Sequence, residues 1–77
     1  MEWERGRVVC SKAGRDAGSL LAVIGREGDC LIVADGKQRP LGRPKRKKPR
    51  HLQVTGTVLE EDALRSDRAL RRALQQL

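Results

Sequence analysis

The sequence has no phenylalanine, no tyrosine and a single tryptophan, Trp3. Proteins that bind single-stranded nucleic acid commonly stack bases on several aromatic side chains. Such an aromatic platform is excluded, so any nucleic-acid binding by this chain has to rest mainly on charge. We expect Trp3 to pack the N-terminal segment against the folded body rather than to stack a base, because tryptophan mostly serves burial.

Cysteine and histidine are scarce, with only Cys10, Cys30 and His51 present. They supply at most three of the four ligands that a structural zinc requires, and the cysteines are far apart, so a zinc module is excluded. Both cysteines lie in apolar, strand-like runs, which favours buried free thiols and leaves a disulfide as the alternative. No nucleophile or carboxylate pair accompanies His51, so we predict no catalytic residue, no metal and no cofactor.

Long hydrophobic runs are also missing. The longest, residues 20–24, is far shorter than the roughly 20 residues that a helix needs to cross a bilayer. The charged segment 1–5 is not typical of a signal peptide. We therefore expect a cytoplasmic protein with no membrane partner. The 77 residues suffice for one small domain, which buries only about 60% of the surface of its unfolded chain.

Five short segments have the composition of β-strands. Residues 20–24 are apolar without alternation, which indicates a strand buried on both faces. Asp35-Gly36 is typical of a two-residue hairpin turn, after which residues 37–41 should pair back antiparallel. The predicted strands are 7–11, 20–24, 30–34, 37–41 and 52–55, the last ending at Gly56. A small closed β-barrel accounts for this pattern, because closure removes exposed strand edges.

The inward positions of these strands can be proposed from the same pattern. The candidates are Val8, Cys10, Leu20, Ala22, Ile24, Leu31, Val33, Leu41, Leu52 and Val54.

The C-terminal residues have a helical pattern instead. Ser66 is suited to cap a helix that begins at Asp67, and Leu70, Leu74 and Leu77 fall on one face of that helix. We expect this leucine face to pack on the barrel, because so short a helix is marginal on its own.

An earlier capping-box pattern, Thr57-x-x-Glu60, is able to start a turn of helix that runs to Leu64. The sequence therefore predicts either two short helices or one helix broken near Ser66. These elements divide the chain into a barrel, residues 1–56, and a C-terminal helical extension, residues 57–77.

The positive charge is concentrated in one segment. The formal net charge is +7, yet residues 1–42 hold seven cations and six acids, and residues 52–77 hold four of each. Residues 43–51, the basic run, hold six cations and no acid. Repulsion and three nearby prolines favour an extended, open segment that stays mobile until a partner binds. A solubilising loop is the plain interpretation, but a run between two strands on a nearly neutral body favours binding of a polyanion.

The segment Gly6-Arg7-Val8-Val9-Cys10-Ser11-Lys12-Ala13-Gly14-Arg15-Asp16-Ala17-Gly18 resembles a KOW motif, the strand–loop–strand signature of SH3-like barrels. The order of the following segments is similar to a KOW-type large-subunit ribosomal protein of archaea and eukaryotes. It is still more similar to bacterial KOW domain-containing RNA-binding proteins. The resemblance covers roughly residues 4–60, with Leu21 standing where many KOW sequences have glycine.

This resemblance implies a mainly β fold, a five-stranded SH3-like barrel, that binds structured RNA without catalysis. The expected partner is ribosomal RNA of the large subunit, together with possible ribosomal proteins, in a ribosome-associated cytoplasmic protein. No small-molecule substrate is expected. By position, the loop of residues 12–18 would approach the RNA backbone, with Gly14 and Gly18 forming its tight turn.

The predicted site consists of cations that neutralise phosphates, with recognition by the shape of the folded RNA. The candidate RNA-binding residues are Lys12, Arg15, Lys37, Arg39, Arg43, Lys45, Arg46, Lys47, Lys48, Arg50 and His51. The candidate turn residues are Gly14, Gly18, Asp35 and Gly36.

A second hypothesis gives the same fold a different role. An SH3-like protein-interaction module would contact RNA polymerase or a ribosomal protein, with the face formed by Leu70, Leu74 and Leu77 as its dock.

Overall fold

A computed structural model describes residues 3–77 and shows a mainly β protein with one short C-terminal α-helix. The strands form a five-stranded antiparallel sheet in the order β4-β3-β2-β1-β5. This arrangement confirms the predicted fold class and is consistent with a small SH3-like barrel. The elements are β1 Arg7–Ser11, β2 Leu20–Glu27, β3 Cys30–Ala34, β4 Lys45–Lys47, a 3-10 turn Pro49–His51, β5 Leu52–Val58, a second 3-10 turn Glu61–Leu64, and α1 Asp67–Gln75.

Strands β1 and β3 have the predicted bounds, whereas β2 and β5 are longer than predicted. The register of β2 against β3 shifts between Val23 and Gly25, and pairing then continues to Glu27. Gly56 does not end β5, which pairs with β1 as far as Val58. The barrel strands therefore extend two residues beyond the predicted boundary at residue 56.

The prediction of a strand at residues 37–41 is wrong. Oδ1 of Asp35 accepts hydrogen bonds from the backbone N–H groups of Lys37 and Arg39, both at 2.8 Å. This side chain holds a turn over residues 35–39 and occupies amides that a strand ladder would need. Asp35 has no positive φ, so the two-residue type I′ hairpin is absent too. The fourth strand is formed instead by Lys45–Lys47.

Strand β2 is covered on both faces, as its continuous apolar run predicts. One face contributes Leu21 and Val23 to the barrel interior, and the other contributes Ala22 to a second cluster. The interior cluster contains Val9, Leu21, Val23, Leu31, Val33 and Leu52, with Trp3 packed against it. The second cluster contains Val8, Ala22, Ala34, Leu64, Leu70 and Leu74. Five residues predicted to point into the barrel belong to the cluster beneath α1 or pack against it: Val8, Leu20, Ala22, Ile24 and Leu41.

Helix α1 begins as predicted, because the Ser66 hydroxyl accepts a hydrogen bond from the N–H of Ala69 at 3.1 Å. One short helical segment precedes Ser66 and another follows it, as one of the two alternatives predicts. The capping box does not form: Thr57 lies within β5, and Glu60 precedes the 3-10 turn without a side-chain cap.

The leucine face of α1 packs on the barrel. Leu70 is fully buried and Leu74 is 8% exposed, while Leu77 is 56% exposed. The dock that the protein-interaction hypothesis places on this face is therefore largely covered by the chain itself. Across residues 3–77, no helix is long and apolar enough to cross a membrane.

Candidate nucleic-acid interface

The loop of residues 12–18, which joins β1 to β2, is closed at its base by backbone hydrogen bonds. The N–H of Gly18 donates to the carbonyl of Ser11 at 2.8 Å, and the N–H of Ser11 donates to the carbonyl of Ser19 at 2.9 Å. Gly14 and Gly18 have φ of 83° and 88°, values that L side chains rarely adopt. Both glycines therefore act as turn residues, as predicted.

Strand β4 places the basic run against this loop. Lys45 and Lys47 pair with Val33 and Leu31 of the barrel interior, so these two lysines share the inner face of the sheet. Arg46 pairs with Ile32 on the outer face. The alternation of a β-strand therefore divides the cations of this short strand between two environments.

The ammonium group of Lys47 is enclosed by the loop. Its Nζ lies 2.7 Å from Oδ1 of Asp16, 2.7 Å from the Ser11 hydroxyl and 3.0 Å from the carbonyl oxygen of Ala13. The side chains of Lys47 and Asp16 are only 6% and 5% exposed. Each partner compensates the buried charge of the other. Because Asp16 lies in the loop and Lys47 in β4, the pair ties the loop to the strand.

The environment keeps Asp16 ionised. Burial raises the pKa of its carboxyl, but hydrogen bonds from Lys47 and Ser11 outweigh that effect and hold the pKa below its ordinary value. The second contact is the Ser11 hydroxyl, 3.1 Å from Oδ1. The ionised carboxylate of Asp16 balances the positive charge of the neighbouring Lys47 ammonium.

The basic run is therefore not the open segment that its charge and nearby prolines predict. Residues 45–47 form β4, and residues 49–51 form a 3-10 turn in which the N–H of His51 donates to the carbonyl of Lys48 at 2.9 Å. The carbonyl of His51 accepts a hydrogen bond from the N–H of Lys12 at 2.8 Å. The outer edge of β3 offers unpaired backbone groups, and their pairing with β4 outweighs the repulsion within the run.

Two of the predicted RNA-binding cations have partners within the protein. Lys47 is buried and bound to Asp16, so its role is structural and the prediction that it contacts phosphate does not fit this position. Arg46 is exposed and forms an ion pair with Glu27 at the surface.

A cleft of about 350 Å³ lies where the loop and the basic run meet. Its walls combine loop backbone with cationic side chains and are formed by Ala13, Gly14, Cys30, Lys45, Arg46, Lys47, Lys48 and His51. We call this site the cationic cleft. Lys12, Arg15 and Arg50, all exposed, lie on the segments that flank it.

Five of the cations at or beside the cationic cleft have no acidic partner in the part of the chain that the structure describes, unlike Arg46 and Lys47 of the same basic run. Among the described residues, the exposed arginines at positions 5, 46 and 65 pair with acids, as does the half-buried Arg7. Within residues 3–77, no acidic side chain forms an ion pair with Lys12, Arg15, Lys45, Lys48 or Arg50. The surface around the cleft therefore carries positive charge that the described part of the protein does not neutralise directly.

Three predicted cations lie outside the cationic cleft. Lys37 lines a different groove, against α1. Arg39 is half-buried, and Arg43 is exposed in the segment before β4. Asp35 and Gly36 shape the turn over residues 35–39, where Gly36 has φ of 79°. The prediction thus grouped cations that the fold places at the cationic cleft, in a second groove and outside both.

Ser11, Ala13, Asp16 and Cys30 take part in the site but are not among the predicted site residues. Asp16 anchors the loop, and the signal for it was an acid within an otherwise basic loop of a basic protein. Cys30 lines the cleft although it is distant in sequence from both segments. Its position follows from the pairing of β3 with β4, which strand composition alone does not determine.

Among the described residues, neither a metal-ligating cluster nor a disulfide contributes to this site. Cys10 and Cys30 are free thiols, as the preferred prediction has it, but both are half-buried and not buried as predicted. Within the described range 3–77, no group of three or more His, Cys, Asp or Glu side chains is placed to hold a metal ion.

Comparison with known proteins supplies no family for this chain. No protein-family model matches it, and no curated protein matches it significantly.

Proposed function

We propose that this protein is a non-catalytic RNA-binding module that binds the phosphate backbone of structured RNA at the cationic cleft. The observation that carries the proposal is the convergence of the loop 12–18 and the basic run at one concave surface. The resemblance of residues 6–18 to a KOW motif supports RNA as the polyanion. It also favours ribosomal RNA of the large subunit, and hence association with the ribosome.

The charge distribution supports this function over a solubilising role. Cations at Lys12, Arg15, Lys45, Lys48 and Arg50 come from two segments that the fold brings together. Each is left without an ion pair to a described acid. A polyanion that meets these groups releases its counterions, which favours binding.

The shape of the site favours backbone recognition. The barrel has one tryptophan, and Trp3 packs against the interior cluster, so the described surface offers no aromatic platform for bases. The loop presents backbone with positive φ at Gly14, next to the lysines of β4 and the 3-10 turn. Contacts of this kind position a protein on folded RNA without reading base edges.

A salt titration of RNA binding tests the electrostatic mechanism. In filter binding with a stem-loop fragment of large-subunit ribosomal RNA, about five phosphate contacts should make log K fall with log[salt] at a slope of about −3.5 to −4.5. A slope near zero would exclude electrostatic attraction as the binding mechanism. The absence of binding even at low salt would exclude the proposed function.

Matched variants locate the contact surface. The triple variant R15A/K48A/R50A should lower the affinity at 0.1 M salt by roughly tenfold or more and flatten the slope by about two to three. The control R26A/R65A/R72A makes the same change in net charge at exposed arginines that lie on neither the loop 12–18 nor the basic run. Equal losses for the two variants would show that net charge, and not the cleft, determines binding.

A further inference from the structure

A second concave site lies between α1 and the barrel. This groove of about 260 Å³ has Leu20 and Leu74 among its lining residues, together with Lys37, Arg71 and Gln75. It combines apolar surface with two cations, whereas the cationic cleft is lined by four consecutive cationic residues. We call it the helix groove.

The helix groove exists because the turn over residues 35–39 packs closely on α1. A Cβ atom at Gly36 would lie 2.3 Å from the carbonyl oxygen of Asp67 and 3.0 Å from the N–H nitrogen of Arg71. Glycine therefore permits the contact that brings Lys37 and Arg71 to the same groove. The two cations come from opposite halves of the chain, so a sequence run does not account for their proximity.

One acid, Asp35, lines the helix groove together with these cations. Oδ1 of Asp35 accepts hydrogen bonds from the backbone of Lys37 and Arg39. Among residues 3–77, no acidic side chain forms an ion pair with Lys37 or Arg71. The helix groove thus has two cations against one carboxylate, a net positive charge beside an apolar surface. This combination suits a nucleotide, with its flat base and its phosphate.

The two concave sites flank the same loop. Ala13 and Gly14 line the cationic cleft, while Ser19, at the other end of the loop, lines the helix groove. The described protein measures only 26 × 26 × 23 Å. On a body of this size, the path from the cleft to the groove falls within the roughly 4–16 nucleotides that a small barrel can cover.

We propose that the helix groove binds one unpaired nucleotide that adjoins the RNA held at the cationic cleft. Its base lies chiefly against the half-buried Leu20, beside the small exposed part of Leu74. Its phosphate contacts Lys37 and Arg71. Gln75 and the free oxygen of Asp35 supply polar groups at the base edge. This inference rests on the proposed function and adds to it a preference for folded RNA with a single-stranded extension.

An acidic peptide with an apolar side chain also has suitable chemistry. The position of the groove, next to the loop that borders the cleft, favours RNA because one continuous ligand then fills both sites. A peptide would satisfy only the groove.

RNA hairpins with and without tails test this inference. We expect the wild-type protein to bind a hairpin with six-nucleotide tails at both ends roughly tenfold more tightly than the same hairpin with blunt ends, through about two added phosphate contacts. K37E/R71E should abolish this gain and leave blunt-hairpin affinity within about threefold of wild type. R26E/R65E, with the same change in net charge and no residue in either site, should retain the gain.

Abasic tails and a peptide complete the experiment. Tails that lack bases should lose most of the gain, because their phosphates remain but the apolar contact does not. The inference is overturned if the tails add nothing, if abasic tails bind as well as intact ones, or if K37E/R71E keeps the gain. It is also overturned if K37E/R71E abolishes binding of a leucine-containing acidic peptide without changing the tail effect. Failure of the wild type to bind either hairpin contradicts the proposed function itself.

Discussion

Two adjacent residues of β4, Lys47 and Arg46, carry the same charge in opposite environments. Lys47 lies on the inner face, where its ammonium meets Asp16 and its side chain is 6% exposed. Arg46 lies on the outer face, paired with Glu27 at the surface. The comparison teaches that the number of cations in a basic run is not the number available to a ligand. Strand alternation turns one of them into a structural element of the loop.

The two ion pairs should differ greatly in energy. Removing one partner of a buried pair leaves an uncompensated charge and typically costs about 3–5 kcal/mol. An exposed pair contributes about 0–1 kcal/mol, because water screens it and two side chains lose freedom. Stability measurements on β4 variants can separate these two cases.

The largest effect is expected for Lys47→Met. This change leaves the Asp16 carboxylate buried without its cation, so the free energy of unfolding should fall by about 3–5 kcal/mol. Urea unfolding followed by the fluorescence of Trp3, which packs against the interior cluster, measures the loss. The double variant K47M/D16A should recover part of it, because neither charge is then left alone. A loss below about 1 kcal/mol in K47M would show that the buried pair does not anchor the loop.

Lowering the pH should have a smaller effect on the free energy of unfolding. The pKa of Asp16 is lowered in the folded protein, because hydrogen bonds from Lys47 and Ser11 outweigh the opposing effect of burial. Its contribution to stability is therefore complete above the unfolded pKa, near 4, and is lost as the pH falls through the lower folded value. The difference in unfolding free energy between wild type and D16N should shrink below about pH 4. A difference that stays constant from neutral to strongly acidic pH would contradict this.

The smallest effect is expected on the outer face. Arg46→Gln removes the exposed pair with Glu27, and the unfolding free energy should change by less than about 1 kcal/mol. The same urea experiment serves as the matched control for K47M, since both variants lose one cation from β4. A failure of K47M to fold, with R46Q folded, would agree with the account. Equal destabilisation of the two variants would contradict the expected difference between the buried and the exposed ion pair.

Much of the fold follows from local sequence signals. The β-branched and apolar runs of β1 and β3 gave the correct bounds, and the continuous run at the start of β2 correctly indicated burial on both faces. Ser66 and the leucine spacing correctly indicated helix α1 and its packing on the barrel. These signals depend on neighbours along the chain.

Features set by long-range pairing were not predictable in the same way. The Asp35 side chain closes a turn where a strand was expected, and the edge of β3 then recruits Lys45–Lys47. The inner face of β1 carries Val9 rather than Val8, because a one-residue choice of register reverses the two faces of a strand. The burial of Lys47 depends on both pairing and register. The sequence therefore located the cationic segments but not which cations face outward.

The central claim is that the loop 12–18 and the basic run form one RNA-binding surface. NMR titration of the ¹⁵N-labelled protein with the stem-loop fragment of large-subunit ribosomal RNA tests it most directly. The account predicts amide shifts in residues 12–16 and 45–51 that grow together with a single affinity, while Arg26 and Arg65 stay unchanged. Shifts confined to one of the two segments, or lying outside both, would contradict it.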